Sequence, residues 1–240
     1  MIYYFITGTS KGIGNALAEA ALHHNKAFVY GISRNVSIKH ERYHHQHIDL
    51  SDITALRNNL HKLFPVLENP EKIVLINNAG VLGEVSYLGS QTADNFEFVF
   101  DVNVIAPAMQ MNTFISAYHE YTCPKMIVNI SSGAGQRAVD GWAAYCASKA
   151  ALDMISLTCQ KEQDILQSGI KVYALSPGVV DTAMQAQIRE VEEEQSSELE
   201  RFQELKSAGN LQKPELVSKK ILQLIQHPIP DQVMVSVRDL

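Results

Sequence analysis

Thr7-Gly8-Thr9-Ser10-Lys11-Gly12-Ile13-Gly14 lies between a short, β-prone apolar run at residues 2–6 and a segment in which Ile13, Leu17, Ala20 and Ala21 recur at helical spacing. Strand, glycine turn and helix in that order make a cradle for phosphate. Glycines let the backbone approach a diphosphate, and the first amides of the helix stabilise its negative charge. The spacing here is G-x-x-x-G-x-G rather than G-x-G-x-x-G, so the general dinucleotide fingerprint is not matched letter for letter. Taken alone, these glycines also read as a plain tight turn.

Outward from this turn the chain alternates. Apolar runs at 27–32, 46–48, 73–76, 126–130, 171–175 and 232–237 predict six more strands, and periodic segments at 52–64, 93–118, 143–163 and 214–226 predict helices between them. Ile73-Val74-Leu75-Ile76 is apolar throughout, as expected of a strand covered on both faces, and helical crossovers require parallel pairing. The expected fold is α/β: a single domain over residues 1–240, with a doubly wound, Rossmann-type seven-stranded parallel sheet and helices on both faces. One stretch breaks the alternation soon after Pro177-Gly178. Residues 189–204 carry Glu190, Glu192, Glu193, Glu194, Glu198, Glu200 and Glu204. They read as a solvated helix face or, within about 183–210, as a lid over a substrate cleft.

The chain has 240 residues, 46% of them hydrophobic, enough for one core without metal or disulfide. Twenty basic against 26 acidic side chains leave a net charge of −6, which gives no bulk attraction to nucleic acid or to an anionic membrane. Neither is an expected partner. No apolar run approaches the roughly 18 residues that span a bilayer, and residues 1–6 lack the basic start of a secretory signal, so a cytoplasmic location is expected. Cys123, Cys146 and Cys159, odd in number and without close pairing, read as reduced, largely buried thiols. His40, His44, His45 and His47 have no carboxylate at ligand spacing; they are expected in a loop and short strand at the surface, with no metal.

Ser33-Arg34 ends the second expected strand, where a protein selective for NAD presents a carboxylate to the ribose 2′-hydroxyl. A cation there, with Lys11 in the glycine turn, favours the 2′-phosphate of NADP(H). Singly, each also reads as an ordinary surface cation. Tyr145 and Lys149 stand four residues apart in a helix-compatible segment and so share a face. The ammonium is expected to favour phenolate and lower the phenol from its usual pKa near 10. Ser132 is placed at the carboxyl edge of the sheet, where open α/β folds bind ligands, with its hydroxyl available to a carbonyl oxygen. Asn77-Asn78-Ala79-Gly80 closes the fourth strand. A Tyr-x-x-x-Lys pair by itself arises by chance in many helices; the concurrence of these pieces carries the inference. A serine hydrolase is excluded, because Ile130-Ser131-Ser132-Gly133 is not a nucleophile elbow.

With these motifs the chain resembles the short-chain dehydrogenase/reductase family over essentially its whole length. The resemblance implies that Gly8, Ser10, Lys11, Gly12, Ile13 and Gly14 serve the cofactor diphosphate, that Arg34 and Asp49 serve the adenosine end, and that Asn78, Ala79 and Gly80 lie beside the cofactor. It implies a tetrad of Asn103, Ser132, Tyr145 and Lys149, with Tyr145 and Lys149 also touching the cofactor, and a nicotinamide site lined by Pro177, Gly178, Val180 and Thr182. In that scheme NADPH delivers hydride to a ketone, Tyr145 gives its proton to the alkoxide, Ser132 stabilises the oxygen, Lys149 holds the ribose, and Asn103 fixes a water.

Within the family, Leu82-Gly83-Glu84-Val85-Ser86, Gly141-Trp142-Ala143-Ala144-Tyr145-Cys146 and Asp181-Thr182-Ala183-Met184-Gln185 are most similar to sepiapterin reductases and bacterial benzil reductases. By that likeness Asp239 falls where a carboxylate anchors a pterin. Trp142, Tyr87, Met184, Val179 and Val180 read as the apolar wall of a pocket for a flat aromatic dicarbonyl or pterin, or as plain core. A homodimer or homotetramer is implied. The alternatives are a 3-oxoacyl thioester reductase of fatty-acid synthesis and a non-catalytic NADP(H)-sensing protein.

Overall fold

The computed structural model describes residues 1–192 and 195–240; Glu193 and Glu194 of the acidic stretch lie outside the described residues. Its strands are β1 (Ile2–Thr7), β2 (Ala27–Ser33), β3 (Tyr43–His47), β4 (Lys72–Asn77), β5 (Lys125–Ile130), β6 (Ile170–Ser176) and β7 (Met234–Ser236). They form one parallel sheet in the order β3-β2-β1-β4-β5-β6-β7. Eight helices are described: α1 (Gly12–Leu22), α2 (Ile53–Leu63), α3 (Ala93–Phe100), α4 (Ala106–Tyr118), α5 (Ala143–Ile165), α6 (Ala183–Arg189), α7 (Leu199–Ser207) and α8 (Pro214–Gln226).

The two-residue period of β4 shows why the sheet is covered on both sides. Val74 and Ile76 join the core beneath α1 and α8, with Leu17, Val29, Val128 and Ile221. Ile73 and Leu75 point the other way, into a core with Leu56, Phe114, Ile127 and Val172 under α2, α4 and α5. Strand order reverses between β1 and β4, so the connections leaving their paired carboxyl ends run to opposite faces of the sheet and leave a crevice between them. A third apolar cluster of Leu82, Val85, Val139, Trp142, Tyr145, Ile188 and Phe202 stands outside the two sheet cores.

Four boundaries differ from the sequence expectation. β3 occupies 43–47 rather than 46–48 and carries His44, His45 and His47. As an edge strand it needs little apolar surface: Tyr43 is buried, and His44 stacks on Tyr30 at 5.0 Å. β7 shrinks to three residues and ends in a 3-10 turn over Val237–Asp239. The expected helix over 93–118 is two helices joined by a π-turn, Asp101–Ile105. Pro107 has no N–H to give the carbonyl four residues back, that of Asn103, so regular α bonding cannot run through this point. The acidic stretch contains the end of α6 and most of α7, and Glu198 is no solvated residue of it: its side chain is only 20% exposed and pairs with Arg137. Among the described residues no helix is long and apolar enough to cross a membrane.

Candidate active site

A cavity of about 1670 Å³ runs along the carboxyl edge of the sheet. One end is walled by Gly8, Ser10, Lys11, Gly12, Ile13, Arg34, Asp49, Asn78, Ala79 and Gly80, and Pro177, Gly178, Val180 and Thr182 continue that wall. The turn between β1 and α1 takes its shape from Gly8 and Gly12, whose φ angles of 73° and 61° are left-handed. Thr7 fastens it to the β4 end: its Oγ1 accepts from the amides of Asn78 and Ala79, both at 2.9 Å. Gly14 does not line the cavity. A Cβ there would lie 2.4 Å from both the Gly8 carbonyl oxygen and Asn78 Nδ2, so this glycine lets α1 sit against the turn instead of touching a ligand.

At the rim Arg34 Nη1 stands 3.8 Å from Asp49 Oδ2, with the arginine side chain 67% exposed. So loose a pair leaves the guanidinium available. Lys11 lines the same end and is exposed.

Ser132 follows β5 and caps the 3-10 turn Gly133–Gly135, its Oγ accepting from the Ala134 amide at 3.2 Å. Tyr145 and Lys149, both buried, come from α5 and line the cavity beside it. Lys149 Nζ lies 5.7 Å from the centroid of the Tyr145 ring and donates to the Ile130 carbonyl at 2.9 Å. Burial sets both acidities. It pushes the Tyr145 phenol up to about 12, against a smaller opposite pull from Ser132, and the Lys149 ammonium down to about 8, against the charge of Asp153. The expected lowering of Tyr145 by Lys149 is therefore not found, because desolvation outweighs any pull from an ammonium already bonded to a carbonyl. At neutral pH the site holds a protonated phenol beside a cationic lysine.

Asn103 does not line the cavity. It is fully buried in the π-turn, where Nδ2 donates to the Val81 carbonyl at 2.8 Å and to Ser148 Oγ at 3.0 Å, and Oδ1 accepts from the Val81 amide at 2.9 Å. Its side chain clamps the segment after β4 to α5, with both Nδ2 hydrogens engaged there. The fit is close: a Cβ on Gly80 would be 3.3 Å from Asn103 Oδ1 and 3.4 Å from Lys149 Nζ.

At the other end of the cavity Trp142 meets the Tyr145 ring edge-on, centroids 5.7 Å apart and planes at 86°, and stacks on Phe202 at 5.5 Å and 13°. Val179, Met184 and Asp239 line the cavity too. Tyr87 does not; it is half exposed and its hydroxyl donates to Asp140 at 3.1 Å. Sequence reading missed Phe202, Ile188, Arg137 and Arg201, all cavity-lining. A signal for Phe202 was present, since Leu199 and Phe202 are buried at helical spacing in α7, but the surrounding glutamates masked it.

Polar contacts hold α7 and the segment before it. Asp140 accepts from the Ser197 amide and hydroxyl at 2.7 and 2.9 Å, Arg137 pairs with Glu198 at 2.6 Å, and Lys206 pairs with Asp181 at 2.7 Å. All three cysteines are free, with Cys159 buried and Cys123 and Cys146 only half-buried. His45 Nε2 lies 3.2 Å from Ser33 Oγ. Among the described residues no three metal-ligating side chains gather.

Residues 3–193 match the family model described as short chain dehydrogenase. A benzil reductase ((S)-benzoin forming) from Bacillus cereus is 35% identical over 236 residues, 94% of this chain and 94% of that one. A sepiapterin reductase from Bos taurus is 28% identical over 241 residues, 92% of this chain and 88% of that one. Among solved structures, a short chain dehydrogenase/reductase from Saccharomyces cerevisiae matches with a TM-score of 0.86 at 24% identity, covering 100% of this chain and 97% of its own, which bears on the fold.

Proposed function

Since this chain belongs to the short-chain dehydrogenase family, carbonyl-reducing oxidoreductases that work with a nicotinamide cofactor, we propose that it is an NADPH-dependent reductase of ketones and dicarbonyls of the benzil or sepiapterin type, with Tyr145 as general acid. The residues present fit such a cofactor. Two left-handed glycines and the first amides of α1 suit a diphosphate, and Lys11 with the loosely paired Arg34 suits a 2′-phosphate. When bound, the reduced nicotinamide supplies the hydride that converts carbonyl carbon to carbinol carbon.

The chain's own residues do the rest. Tyr145 starts as a neutral phenol, the form a proton donor needs, and gives its proton to the developing alkoxide. Ser132 Oγ hydrogen-bonds the same oxygen, Lys149 stabilises the phenolate left behind and holds the cofactor ribose, and Asn103 positions both flanking elements. Trp142 and Phe202 make the wall against which a flat aryl group packs, and Asp239 contacts substrate at the far side. The segment 183–210 acts as the lid of the substrate end. The exposed apolar side chains Ile105, Met154 and Leu157 favour a homo-oligomer through the α4 and α5 face.

One observation carries this reading: a buried Tyr145 beside Lys149, both facing one cavity with an aromatic wall. Turnover of benzil, sepiapterin and a 3-oxoacyl thioester, each with NADPH and NADH, tests it. Dicarbonyl reduction with NADPH is expected, and a thioester preference overturns the substrate assignment. Tyr145→Phe is expected to lower turnover by roughly 10²- to 10⁴-fold while cofactor affinity, read by fluorescence titration, stays within a few-fold.

A further inference from the structure

Tyr145, Lys149 and Asp153 occupy successive turns of α5, all buried and all on one face. Asp153 lies 6% exposed beneath the turn that carries Ser132: a Cβ on Gly135 would fall 2.8 Å from Asp153 Oδ2 and 2.9 Å from the main-chain carbon of Lys149. Among the described residues no hydrogen bond of good geometry reaches either carboxylate oxygen, nor the buried Ser131 Oγ. A buried carboxylate without full hydrogen bonding destabilises a fold, and it survives where its charge has another use.

We propose that Asp153 is a positioning residue for Lys149: its buried carboxylate, one helical turn beyond, keeps that ammonium a cation in an apolar crevice. The inference rests on the role given to Lys149 above. The surroundings leave few other candidates for this duty. Burial lowers Lys149, and Asp153 is the charge that opposes the fall. Tyr145 is its other titratable neighbour on α5 and is neutral at pH 7. β5 offers the Ile130 carbonyl, the π-turn the amide of Asn103 and the segment after β4 the main chain of Gly80. Around Asp153 itself, burial pushes the carboxyl above its usual range, and the Ser131 hydroxyl, the Lys149 charge and the Gln136 side chain act against that rise in favour of the ionised form. Without Asp153 the Ile130 carbonyl is left to oppose the desolvation of Lys149, and the ammonium loses its proton at lower pH.

The test uses the full chain. In protein labelled with ¹³C-lysine, the Lys149 side-chain signal is assigned by its loss in Lys149→Arg and titrated from pH 6 to 10 without cofactor. Asp153→Asn is expected to lower the midpoint by at least about half a pH unit, a threefold change in acidity. In kcat/KM for a diketone with NADPH, the ratio of the value at pH 6.5 to that at pH 8.5 is then expected to rise about threefold. An unmoved midpoint, or a loss of turnover equal at every pH, overturns the proposal. A second measurement does not depend on the variant folding. The Asp153 carboxyl signal of ¹³C-aspartate-labelled wild-type protein should show a step at the Lys149 midpoint that disappears in Lys149→Arg, and its absence also overturns the proposal. Should no carbonyl be reduced at all, the reductase reading fails, while the Lys149 midpoint still decides this one.

Discussion

At the glycine-turn end the cavity wall is largely main chain and small residues, and at the other end it is side chain. Gly8, Ala79 and Gly80 follow the carboxyl ends of β1 and β4, where register and Thr7 hydrogen bonds leave little freedom, and Gly12 opens α1. Trp142, Phe202, Met184 and Ile188 come from the start of α5 and from α6 and α7, and α7 is held by the burial of Leu199 and Phe202 together with ion pairs at its ends. Groups set by the sheet core cannot shift without disturbing the whole fold, so that end suits a ligand that does not vary. Groups carried on loops and short helices can be exchanged at small cost to the fold, so this end suits selectivity.

The contrast predicts effects of different kinds. The largest is at Gly14: Gly14→Ala forces a Cβ to 2.4 Å from the Gly8 carbonyl, and a destabilisation of about 2–4 kcal/mol is expected in urea unfolding, with cofactor affinity lost in parallel. A stable Gly14→Ala protein would break the claim that the cradle is rigid. Next, Arg34→Ala is expected to raise the KM for NADPH about 10- to 100-fold and leave that for NADH within a few-fold; an equal effect on both removes Arg34 from cofactor selection.

Phe202→Ala should raise KM for benzil roughly tenfold, with little change for a small aliphatic diketone and a stability loss comparable to that at Gly14. The reverse pattern would make Phe202 plain core. At the seam between the two regions the pH dependence follows from burial. Lys149, lowered to about 8, gives up its proton earlier than a free lysine, so its cation is present below pH 8 and is lost above it. Tyr145, raised to about 12, stays protonated throughout. Reduction rates should therefore fall as pH rises through about 8, a decline that Lys149→Arg shifts to higher pH.

Legibility in the sequence followed the range of the interactions involved. The strand and helix alternation, the glycine turn, and the sharing of one face by Tyr145 and Lys149 all rest on neighbours within a few residues. The edge strand β3 leaves little trace in the sequence because pairing with β2, rather than apolar pattern, holds Tyr43–His47 in place. Apolar periodicity runs unbroken over 93–118, and Pro107 is the local mark of the interruption beside Asn103.

By itself, then, the sequence determined a parallel doubly wound sheet, a glycine turn after its first strand and the side chains gathered at its carboxyl edge, since period, glycine and helical spacing are local properties. Tertiary structure alone decided that Tyr145 is a weaker acid than free tyrosine, that Asn103 clamps Val81, and that Phe202 stacks on Trp142. Those outcomes depend on desolvation and on contacts between segments far apart in the chain, as with Arg137 and Glu198, 61 residues apart, and no local pattern encodes either.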